Sequence, residues 1–539
     1  MAEPERRLAE GARLHDAGRL NEAEAALRAI LREADEARRT RPVPALVRLA
    51  GVLLDRGEPE RAYAFADEAT TLAPHDAVAH NVRGMVLGSL GRMVEAERAL
   101  RTAVDLAPGA AEAHHNLGRV LAATGQGAPA IDAFAAALAI APDMAPARRA
   151  MGWALRDEGR FAEALDLLDR LVADRGESAA TLFERGLLLY LLRRPAEALA
   201  VLDRAIGADP AAEGPRMRRA HALLLLGDYG RGWPAHDFLF ETGHWRNVPF
   251  DCPRWTGQPL AGKTVVVWGE MGYGDAIQFV RFVPMLAARG ATVVLLVKPT
   301  LVRLFASVPG VARVIAIGGP VGPHDFHLPT MALPRAFGAT IETLPADCPY
   351  LAPPSPIRTR WAEVFPTSAR LRVGLVWAGE PRPHLPVAHA TDRRRSMAFA
   401  TLAPLLAVDG VDFVSLQLGD ARAAVRSAAP GARLYDPMGA IEDFADTAAI
   451  IERLDLVITV CTAAAHLTGA LGRPGWVLLS YDACWRWLLD RDDSPWYPSL
   501  RLFRQSAPGD WTAPIARATA ALTDLSRRHA MRAGMAPRG

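Results

Sequence analysis

The sequence predicts two architectures in series, an all-helical repeat array followed by an α/β half with two doubly wound parallel sheets. Two observations lead to this prediction. Small residues and proline recur at a fixed spacing through about the first 240 residues, and buried strands that alternate with helices then replace this pattern. At 539 residues the chain is also too long for a single hydrophobic core.

The first half repeats every 34 residues. Glycine marks a turn, alanine follows five residues later, and proline closes the unit. These markers are Gly57, Gly91, Gly125, Gly159, Arg193 in the next slot and Gly227; Ala62, Ala96, Ala130, Ala164 and Ala198; and Pro74, Pro108, Pro142 and Pro210. The period is that of the tetratricopeptide repeat, a helix, a turn and a second helix. Glycine supplies the left-handed cap of the first helix, and proline stops the second.

Both ends of the array depart from the period. A divergent copy around Gly18 is five residues out of register, with the excess placed at 38–44, and indicates a capping repeat. The last copy, from Arg218 to about Glu241, becomes aromatic at Tyr229 and Trp233, which predicts packing onto a following domain. Such arrays usually bind peptide or protein in their groove, and the alternative is a structural or dimerising role.

The second half reads as two Rossmann-like domains. Predicted strands lie at 264–268 and 292–297, and then at 371–377, 412–417, 456–459 and 476–479, with a helix at 276–288 and a long polar loop at 379–396. We therefore place the repeat array at 1–240, the two Rossmann-like domains at 241–355 and 356–530, and a flexible tail at 531–539. Ligands in such folds bind at the carboxyl ends of the strands.

Composition narrows the classes of partner and the compartment. The net charge is +2 without a basic stripe, which disfavours nucleic acid as a partner. Lys263 and Lys298 are the two lysines, so a cation that binds phosphate is expected to be arginine. The four cysteines form no C-x-x-C motif, and no apolar run approaches the ~20 residues of a membrane span. We expect a cytoplasmic protein.

Two motifs carry candidate chemistry. Asp275 ends the glycine loop GEMGYGD after the first strand, where it either caps the following helix or acts as a general base. Thr462 and His466 begin the helix after the strand at 456–459, and a helix N-terminus suits a diphosphate. A histidine in this position is as often structural as functional.

Two further groups of residues leave alternatives open. The run Arg393 to Arg395 either neutralises a phosphate or is a solvated charged face. His384, His389 and Asp392 fit no standard ligand spacing, so we predict no metal site. An aromatic cluster either stacks on sugars and bases or packs the domains together; its members are Trp485, Trp487, Trp496 and Tyr497.

Taken together, the motifs of the second half resemble a known family. They are GYGDAIQFVRFVPMLAARGA, GLVWAGEP followed by DRRRS, FVSLQLG, DFADTAAIIERLDLVITVCTAAAHLTGALGRP and WRWLLDRDDSPWYPSLRLFRQ. On these motifs the region from about Trp233 to Trp511 is similar to the heptosyltransferase-like glycosyltransferases of the two-domain GT-B fold, in particular bacterial proteins that carry tetratricopeptide repeats ahead of that module. The resemblance implies an α-solenoid, a TPR superhelix, followed by an α/β GT-B module.

The resemblance also implies an activity and a site. Asp275 would be the base, and the donor would be bound by Gly272, Gly274, Trp377, Gly379, Arg393, Arg394, Gln417, Thr462 and His466. A nucleotide-sugar would serve as co-substrate without a further cofactor, and the acceptor would be a protein held by the repeats. Some bacterial proteins of similar layout modify flagellin with nonulosonic acids, which implies flagellin as an acceptor. The rival hypotheses are a non-catalytic scaffold with a degenerate GT-B half, and a different GT-B chemistry such as epimerisation or hydrolysis.

Three departures from the family pattern affect the donor site. Cys461 stands where the family commonly has an acidic residue, Gly379-Glu380-Pro381 replaces the usual G-N-P turn, and a lysine often found in that loop is missing. A thiol cannot replace the charge of a carboxylate or its hydrogen bonds to a ribose. We expect either an altered donor, with arginine in place of lysine, or a weakened enzyme.

Overall fold

The computed structural model describes residues 3–240, 250–269, 272–365, 368–427, 433–532 and 534. The predicted linker at 241–249, the loop residues Glu270 and Met271, and most of the predicted tail lie outside the described residues. The chain divides into two compact units, one that ends at Arg175 and one that begins at Gly176.

Fourteen helices occupy the described residues from Glu3 to Asp237. From α3 onward, first helices begin at 43, 77, 111, 145, 179 and 213 and second helices at 59, 93, 127, 161, 195 and 229, so the predicted period of 34 residues is confirmed. The helices are α1 (Glu3–Asp16), α2 (Leu20–Glu36), α3 (Val43–Asp55), α4 (Pro59–Leu72), α5 (Ala77–Ser89), α6 (Met93–Leu106), α7 (Ala111–Ala123), α8 (Gly127–Ile140), α9 (Ala145–Asp157), α10 (Phe161–Arg175), α11 (Ala179–Leu191), α12 (Pro195–Ala208), α13 (Glu213–Leu225) and α14 (Tyr229–Asp237).

Left-handed residues end the first helix of each pair, as the turn glycines predict. Gly57, Gly91, Gly125, Gly159 and Gly227 have φ between 73° and 79°, and Arg193 takes the same conformation with φ 61°. A residue with a Cβ in this region costs roughly 1–2 kcal/mol. Within the second unit, Arg193 donates to Asp490 at 2.6 Å and lies over the ring of Tyr481.

Small residues let the paired helices approach closely. All five repeat alanines are buried. A Cβ added at Gly118 would lie 2.6 Å from the ring of Phe134, and the equivalent distances are 2.5 Å from Leu100 at Gly84 and 2.6 Å from Leu202 at Gly186. The larger side chain of the second helix therefore fills the space above the glycine of the first.

The five-residue excess near the start of the chain is divided between a helix and a connection. Helix α2 spans 17 residues, three more than the 14 of α4, α6, α8 and α12. Six residues connect α2 to α3, two more than the four that connect α4 to α5. The sequence placed the whole excess in the connection, and this was wrong because the apolar face of α2 continues for nearly another turn.

Two fully parallel sheets form the α/β half, within the second unit. The first has the strand order β3-β2-β1-β4 and the second β10-β9-β8-β5-β6-β7. The strands are β1 (Thr264–Trp268), β2 (Thr292–Val297), β3 (Val311–Ala316), β4 (Phe326–Pro329), β5 (Leu371–Val376), β6 (Val411–Ser415), β7 (Leu434–Tyr435), β8 (Leu456–Val460), β9 (Gly475–Leu479) and β10 (Leu500–Arg504). Each predicted strand is present to within two residues at its ends. The strand order reverses beside β1 and beside β5, and these two switch points are where such folds bind ligands.

Helices alternate with these strands. They are α15 (Tyr273–Phe279), α16 (Val283–Ala287), α17 (Val302–Phe305), α18 (Leu333–Ala336), α19 (Ser355–Val364), α20 (Pro386–Arg395), α21 (Ala403–Leu406), α22 (Phe444–Glu452), α23 (Ala463–Ala470) and α24 (Thr512–Arg532), and short 3-10 turns include 280–282, 420–427 and 485–487. The single helix predicted at 276–288 is interrupted at 280–282 because Pro284, which lacks a backbone N–H, starts a new helix.

The stretch at 379–396 is not the loop that the sequence predicted, since α20 occupies residues 386–395. Its sequence lacks an apolar stripe, and ion pairs hold it instead. The buried carboxylate of Asp392 accepts from Arg382 at 2.8 Å and also pairs with Arg395. A helix stabilised by tertiary ion pairs leaves no hydrophobic period in the sequence.

The last repeat packs onto the α/β half, as its aromatic sequence predicted. Trp233 of α14 is buried, its indole N–H donates to the Ala339 carbonyl at 2.9 Å, and its ring meets Phe279 and Trp485 edge-on. Tyr229 accepts from the indole N–H of Trp496 at 3.0 Å. The four residues of the aromatic cluster are all buried, so the structure supports domain packing for them rather than stacking on a ligand.

Candidate functional site

The candidate residues lie at the two switch points, and the structure brings them together. Asp275 follows β1, and Thr462 follows β8, the neighbour of β5 in the second sheet. The helices that begin at these loops, α15 and α23, pack against each other. A Cβ at Gly274 would lie 2.7 Å from the His466 ring, so glycine is required where the first loop meets the second helix.

Asp275 uses both carboxylate oxygens within the protein. Oδ2 accepts from the backbone N–H of Gly272 at 2.9 Å, which is the helix-capping contact that the sequence left open. Oδ1 pairs with the guanidinium of Arg486 from the second domain. The side chain remains 19% exposed. Capping does not exclude a role as base, because a carboxylate offers about four acceptor positions.

Arg486 is the functional residue that the sequence analysis did not select. Its Nε donates to Gln278 Oε1 at 2.7 Å, its Nη1 lies 3.9 Å from the Cys484 sulfur, and it stacks over the Trp485 indole at 4.3 Å. Burial opposes its charge, but Asp275 and Cys484 outweigh burial and raise the pKa of Arg486 above its usual range. Its place between two tryptophans in WRW was a signal of a stacked cation. A separation of 211 residues along the chain hid its partner, Asp275.

His466 is buried and neutral. Its Nδ1 is hydrogen-bonded to the Tyr497 hydroxyl at 2.9 Å, and its ring stacks on Trp487 with 5.6 Å between centroids. Burial, followed by repulsion from Arg486, Arg281 and Arg395, lowers the pKa of His466 well below its usual range. Any stabilisation of an anion by this ring is therefore hydrogen bonding by a neutral imidazole rather than attraction by a positive charge.

Thr462 lies at the start of α23, and its hydroxyl already donates to Thr459, whose own proton goes to the Val460 carbonyl at 2.8 Å. It holds the N-cap position with an extended backbone, but its side chain makes no capping hydrogen bond. The hydroxyl lies 3.2 Å from that of Thr459. The start of α23 lies at the carboxyl end of β8, where a phosphate would bind in such a fold.

The arginine run belongs to α20 and is largely engaged. Arg394 Nε lies 2.9 Å from Asp482 Oδ2, and both side chains are mostly buried. Arg395 donates to the Cys461 carbonyl at 3.0 Å, and its guanidinium occupies the space that a Cβ at Gly379 would need. Arg393 is half-buried. Arg395, which the prediction did not select, thus contacts the loop after β8.

Trp377 and Gln417 lie inside the second domain. The Trp377 ring is 1% exposed and packs on Phe399 in the core. Gln417 Oε1 accepts from the N–H groups of Trp377 and Ala378 at 3.0 and 2.9 Å, and its Nε2 donates to the Ala378 and Leu418 carbonyls at 3.0 and 2.8 Å. Gln417 thus fixes the loop after β5 through four hydrogen bonds to its backbone and that of Leu418.

Two cysteines complete the site. The Trp487 indole N–H donates to the Cys461 sulfur at 3.1 Å, and the Cys461 and Cys484 thiols are close enough to shift each other's pKa. Within the described ranges, no group of three or more His, Cys, Asp or Glu side chains is placed to hold a metal ion. Nor does any helix in the same ranges combine the length and the apolar character needed to cross a membrane.

Comparison with known proteins defines the class of the first half. Residues 82–145 and 149–213 match the tetratricopeptide repeat family, in agreement with the helix pairs. A curated relative, "Protein FlbA" of Caulobacter vibrioides, is 30% identical over 336 residues, which cover 58% of this chain and 55% of that protein. The chain thus spans about half the length of the curated relative that it matches.

Several solved structures resemble part of the chain. A tetratricopeptide repeat protein from Parabacteroides merdae is 17% identical, with a TM-score of 0.35, over 45% of this chain and 93% of that one. YrrB, described as a TPR protein with an unusual peptide-binding site, is 24% identical, with a TM-score of 0.31, over 35% and 95%. A thermophilic TPR protein of Thermus thermophilus is 20% identical, with a TM-score of 0.25, over 41% and 99%.

Proposed function

We propose that the chain is a GT-B glycosyltransferase that moves a sugar from a nucleotide-sugar donor to a hydroxyl of a protein acceptor, which the repeats recruit in the cytoplasm. The observation that supports this proposal is the meeting of two switch points. Asp275 from the first sheet pairs with Arg486 from the second domain, and Gly274 lies against His466. A carboxylate thereby stands beside the amides and hydroxyl that could hold a diphosphate.

Asp275 would act as the general base. The hydroxyl oxygen of the acceptor attacks the anomeric carbon of the sugar while Asp275 takes the hydroxyl proton. The bond from that carbon to the phosphate oxygen breaks, and the nucleotide leaves with the electron pair. Attack from the side opposite the phosphate inverts the anomeric centre. Arg486 holds the carboxylate in place, and its bond to Oδ1 leaves further acceptor positions on both oxygens.

The departing phosphate would be stabilised by the second domain. The amides at the start of α23 are donors that need no rearrangement as charge develops, and the Thr462 hydroxyl would rotate away from Thr459 to join them. Arg395 at the end of α20 supplies positive charge at the Cys461 loop. His466 contributes as a neutral hydrogen-bonding group.

Intact-mass spectrometry of flagellin, the proposed acceptor, tests this function. Flagellin is compared from cells that carry the wild-type chain, Asp275→Asn, a matched control, or a deletion. Asp325→Asn is the control because Asp325 has the same two kinds of partner, a backbone N–H of Thr264 at 2.8 Å and the cation of Lys263 at 2.9 Å, but lies beside the opposite end of β1.

We expect a glycan mass with the wild type and Asp325→Asn, and its loss with Asp275→Asn and the deletion, since removal of a general base costs about 10²–10⁴ in rate. A glycan that survives Asp275→Asn but not the deletion would refute the base assignment. Flagellin of unchanged mass after deletion would refute flagellin as the acceptor.

A second candidate function is a non-catalytic scaffold, in which the repeats bind a partner and the α/β half is structural. The observation that favours it is the pair of existing bonds on Asp275, together with Cys461 at a position that is commonly acidic in the family. Calorimetric titration of the full chain with UDP, GDP and CMP discriminates the two functions. Binding of one nucleotide that is weakened by Thr462→Val supports the transferase, and heat of dilution alone with all three supports the scaffold.

A further inference from the structure

Two cysteines that are far apart in sequence meet at the carboxyl edge of the second sheet. Cys461 directly follows β8, and Cys484 lies five residues beyond the end of β9, the strand that pairs with β8 at Val460 and Leu478. Neighbouring strands are about 4.8 Å apart, so their following loops lie within reach of each other. Both thiols are free, and both residues are partly exposed. Two consecutive residues of one turn contact them: the Arg486 guanidinium lies 3.9 Å from the Cys484 sulfur, and the Trp487 indole N–H donates to the Cys461 sulfur at 3.1 Å.

The surroundings of the pair favour a thiolate on Cys484. Arg486 Nη1 lies 3.9 Å from its sulfur. The hydrogen bond from Cys461, followed by the charge and backbone N–H of Arg486, lowers the pKa of Cys484 below its usual range, although burial opposes this. The same bond, with burial, raises the pKa of Cys461. The pair therefore combines a nucleophilic sulfur with a protonated neighbour, and the thiolate is the reactive form in thiol oxidation.

We propose that Cys461 and Cys484 form an oxidation site, at which hydrogen peroxide converts the two thiols into a reversible intrachain disulfide. The Cys484 sulfur attacks one peroxide oxygen, the O–O bond breaks, and a sulfenic acid and hydroxide form; the hydroxide takes a proton and leaves as water. The Cys461 sulfur then attacks the Cys484 sulfur, the S–S bond forms, and the sulfenic oxygen leaves as a second water with the Cys461 proton. Two electrons pass from the two sulfurs to the peroxide.

The disulfide would alter the candidate site directly. It removes the thiolate beside Arg486, which leaves Asp275 as the remaining anionic partner of that guanidinium among the described residues. It also ties the loop after β8 to the loop after β9, at the edge where we place the donor phosphate. An effect on transfer rests on the proposed function, whereas the oxidation itself does not.

The other two cysteines serve as internal controls. Burial raises the pKa of both Cys252 and Cys348, and this disfavours the thiolate at neutral pH. Both residues are also partly exposed, so access alone does not separate them from the proposed pair. Selective reaction at Cys461 and Cys484 would therefore report their chemistry rather than their exposure.

The test is differential alkylation of the full chain after brief treatment with hydrogen peroxide. Free thiols are blocked with N-ethylmaleimide, and intact mass and digested peptides are then measured. We expect two fewer maleimide groups, a linked peptide pair that contains Cys461 and Cys484, and a mass about 2 Da below that of the reduced chain before labelling, all reversed by dithiothreitol. Either Cys461→Ser or Cys484→Ser should abolish the linked pair, whereas Cys252→Ser should leave it unchanged.

Three results would overturn the proposal: full alkylation of both cysteines after peroxide, a disulfide to Cys252 or Cys348 instead, or irreversible oxidation of Cys484 to a sulfinic acid. The wild-type measurement stands even if a serine variant does not fold, which far-UV circular dichroism of each variant would reveal. Because the readout is mass, the test can refute the oxidation site while transfer activity persists. It can equally support the oxidation site in a chain that shows no transfer activity.

Discussion

Removal of the guanidinium from the Asp275–Arg486 pair is the perturbation whose effect the structure defines best. Arg486→Met keeps much of the apolar stem that packs on Trp485 but leaves Asp275 Oδ1 and Gln278 Oε1 without their donor. Breaking a buried ion pair from one side costs about 3–5 kcal/mol, and an exposed pair costs at most about 1. The side chains are 12% and 19% exposed, so we expect a loss near the buried limit, about 2–4 kcal/mol.

A double-mutant cycle separates the pair from its surroundings. Asp275→Asn keeps an acceptor for Arg486 and loses the charge, for an expected cost of about 1–2 kcal/mol. Arg486→Met alone leaves the Asp275 carboxylate without its cation. In the double variant that carboxylate is absent, because Asp275→Asn replaces it with a neutral amide. The double variant should therefore cost about 1–2 kcal/mol less than the sum of the two single variants.

Urea unfolding followed by tryptophan fluorescence is the assay, because Trp233, Trp485 and Trp496 surround the pair and report on the second unit. Lys263→Met is the control, since its ion pair with Asp325 is far more exposed and should change stability much less. Additive single effects, or an Arg486→Met loss no greater than that of Lys263→Met, would show that the pair does not hold the two domains' loops together.

Three further predictions test the packing within each unit. Both ring nitrogens of His236 are buried without a hydrogen-bond partner among the described residues, and burial with nearby arginine charge lowers the pKa of His236 to about 4. His236 in the unfolded chain titrates near pH 6.5, so the free energy of unfolding is unaffected by this group above pH 6.5 and falls by at most about 3 kcal/mol as the pH drops towards 4. His236→Phe should therefore flatten the acid side of a Tm–pH profile, and an unchanged profile would contradict this. Gly118→Ala should lower the Tm of the first unit because the added Cβ would lie 2.6 Å from Phe134. The Cβ of Gly88→Ala would lie 3.7 Å from its nearest neighbour, so this control should raise stability by about 0.5–1 kcal/mol, and equal shifts would refute the close packing. Trp233→Ala should cost about 3–5 kcal/mol in urea unfolding of the second unit and expose the aromatic cluster to quenching by iodide, and retained stability would contradict the docking of the last repeat.

Local patterns were enough to predict most of the architecture. The 34-residue spacing places helix starts from α3 to α14 because each repeat is bounded by its own turn glycine and stop residue. Buried strands such as β1 and β2 agree with the predicted ranges because a run of β-branched residues between turn residues has one favourable conformation. The aromatic residues Tyr229 and Trp233 also predicted that the last repeat packs onto the following domain, since large rings are usually buried.

The candidate site depended on contacts that no local pattern contains. Arg486 and Asp275 are 211 residues apart, and the thiols of Cys461 and Cys484 meet only because β8 and β9 are neighbours. Helix α20 replaced a predicted loop because ion pairs of Asp392, rather than an apolar stripe, stabilise it.

The sequence by itself thus determined the repeat helices, six of the strands, and the segments that carry Asp275 and Thr462, because helix caps, turns and strands depend on residues close along the chain. Only the tertiary structure decided which side chains in those segments are partnered. It showed Asp275 paired with Arg486, His466 neutral against Gly274, and Gln417 used inside its own domain. Charge state and hydrogen bonding depend on what packs around a group, and that surrounding comes from distant parts of the chain.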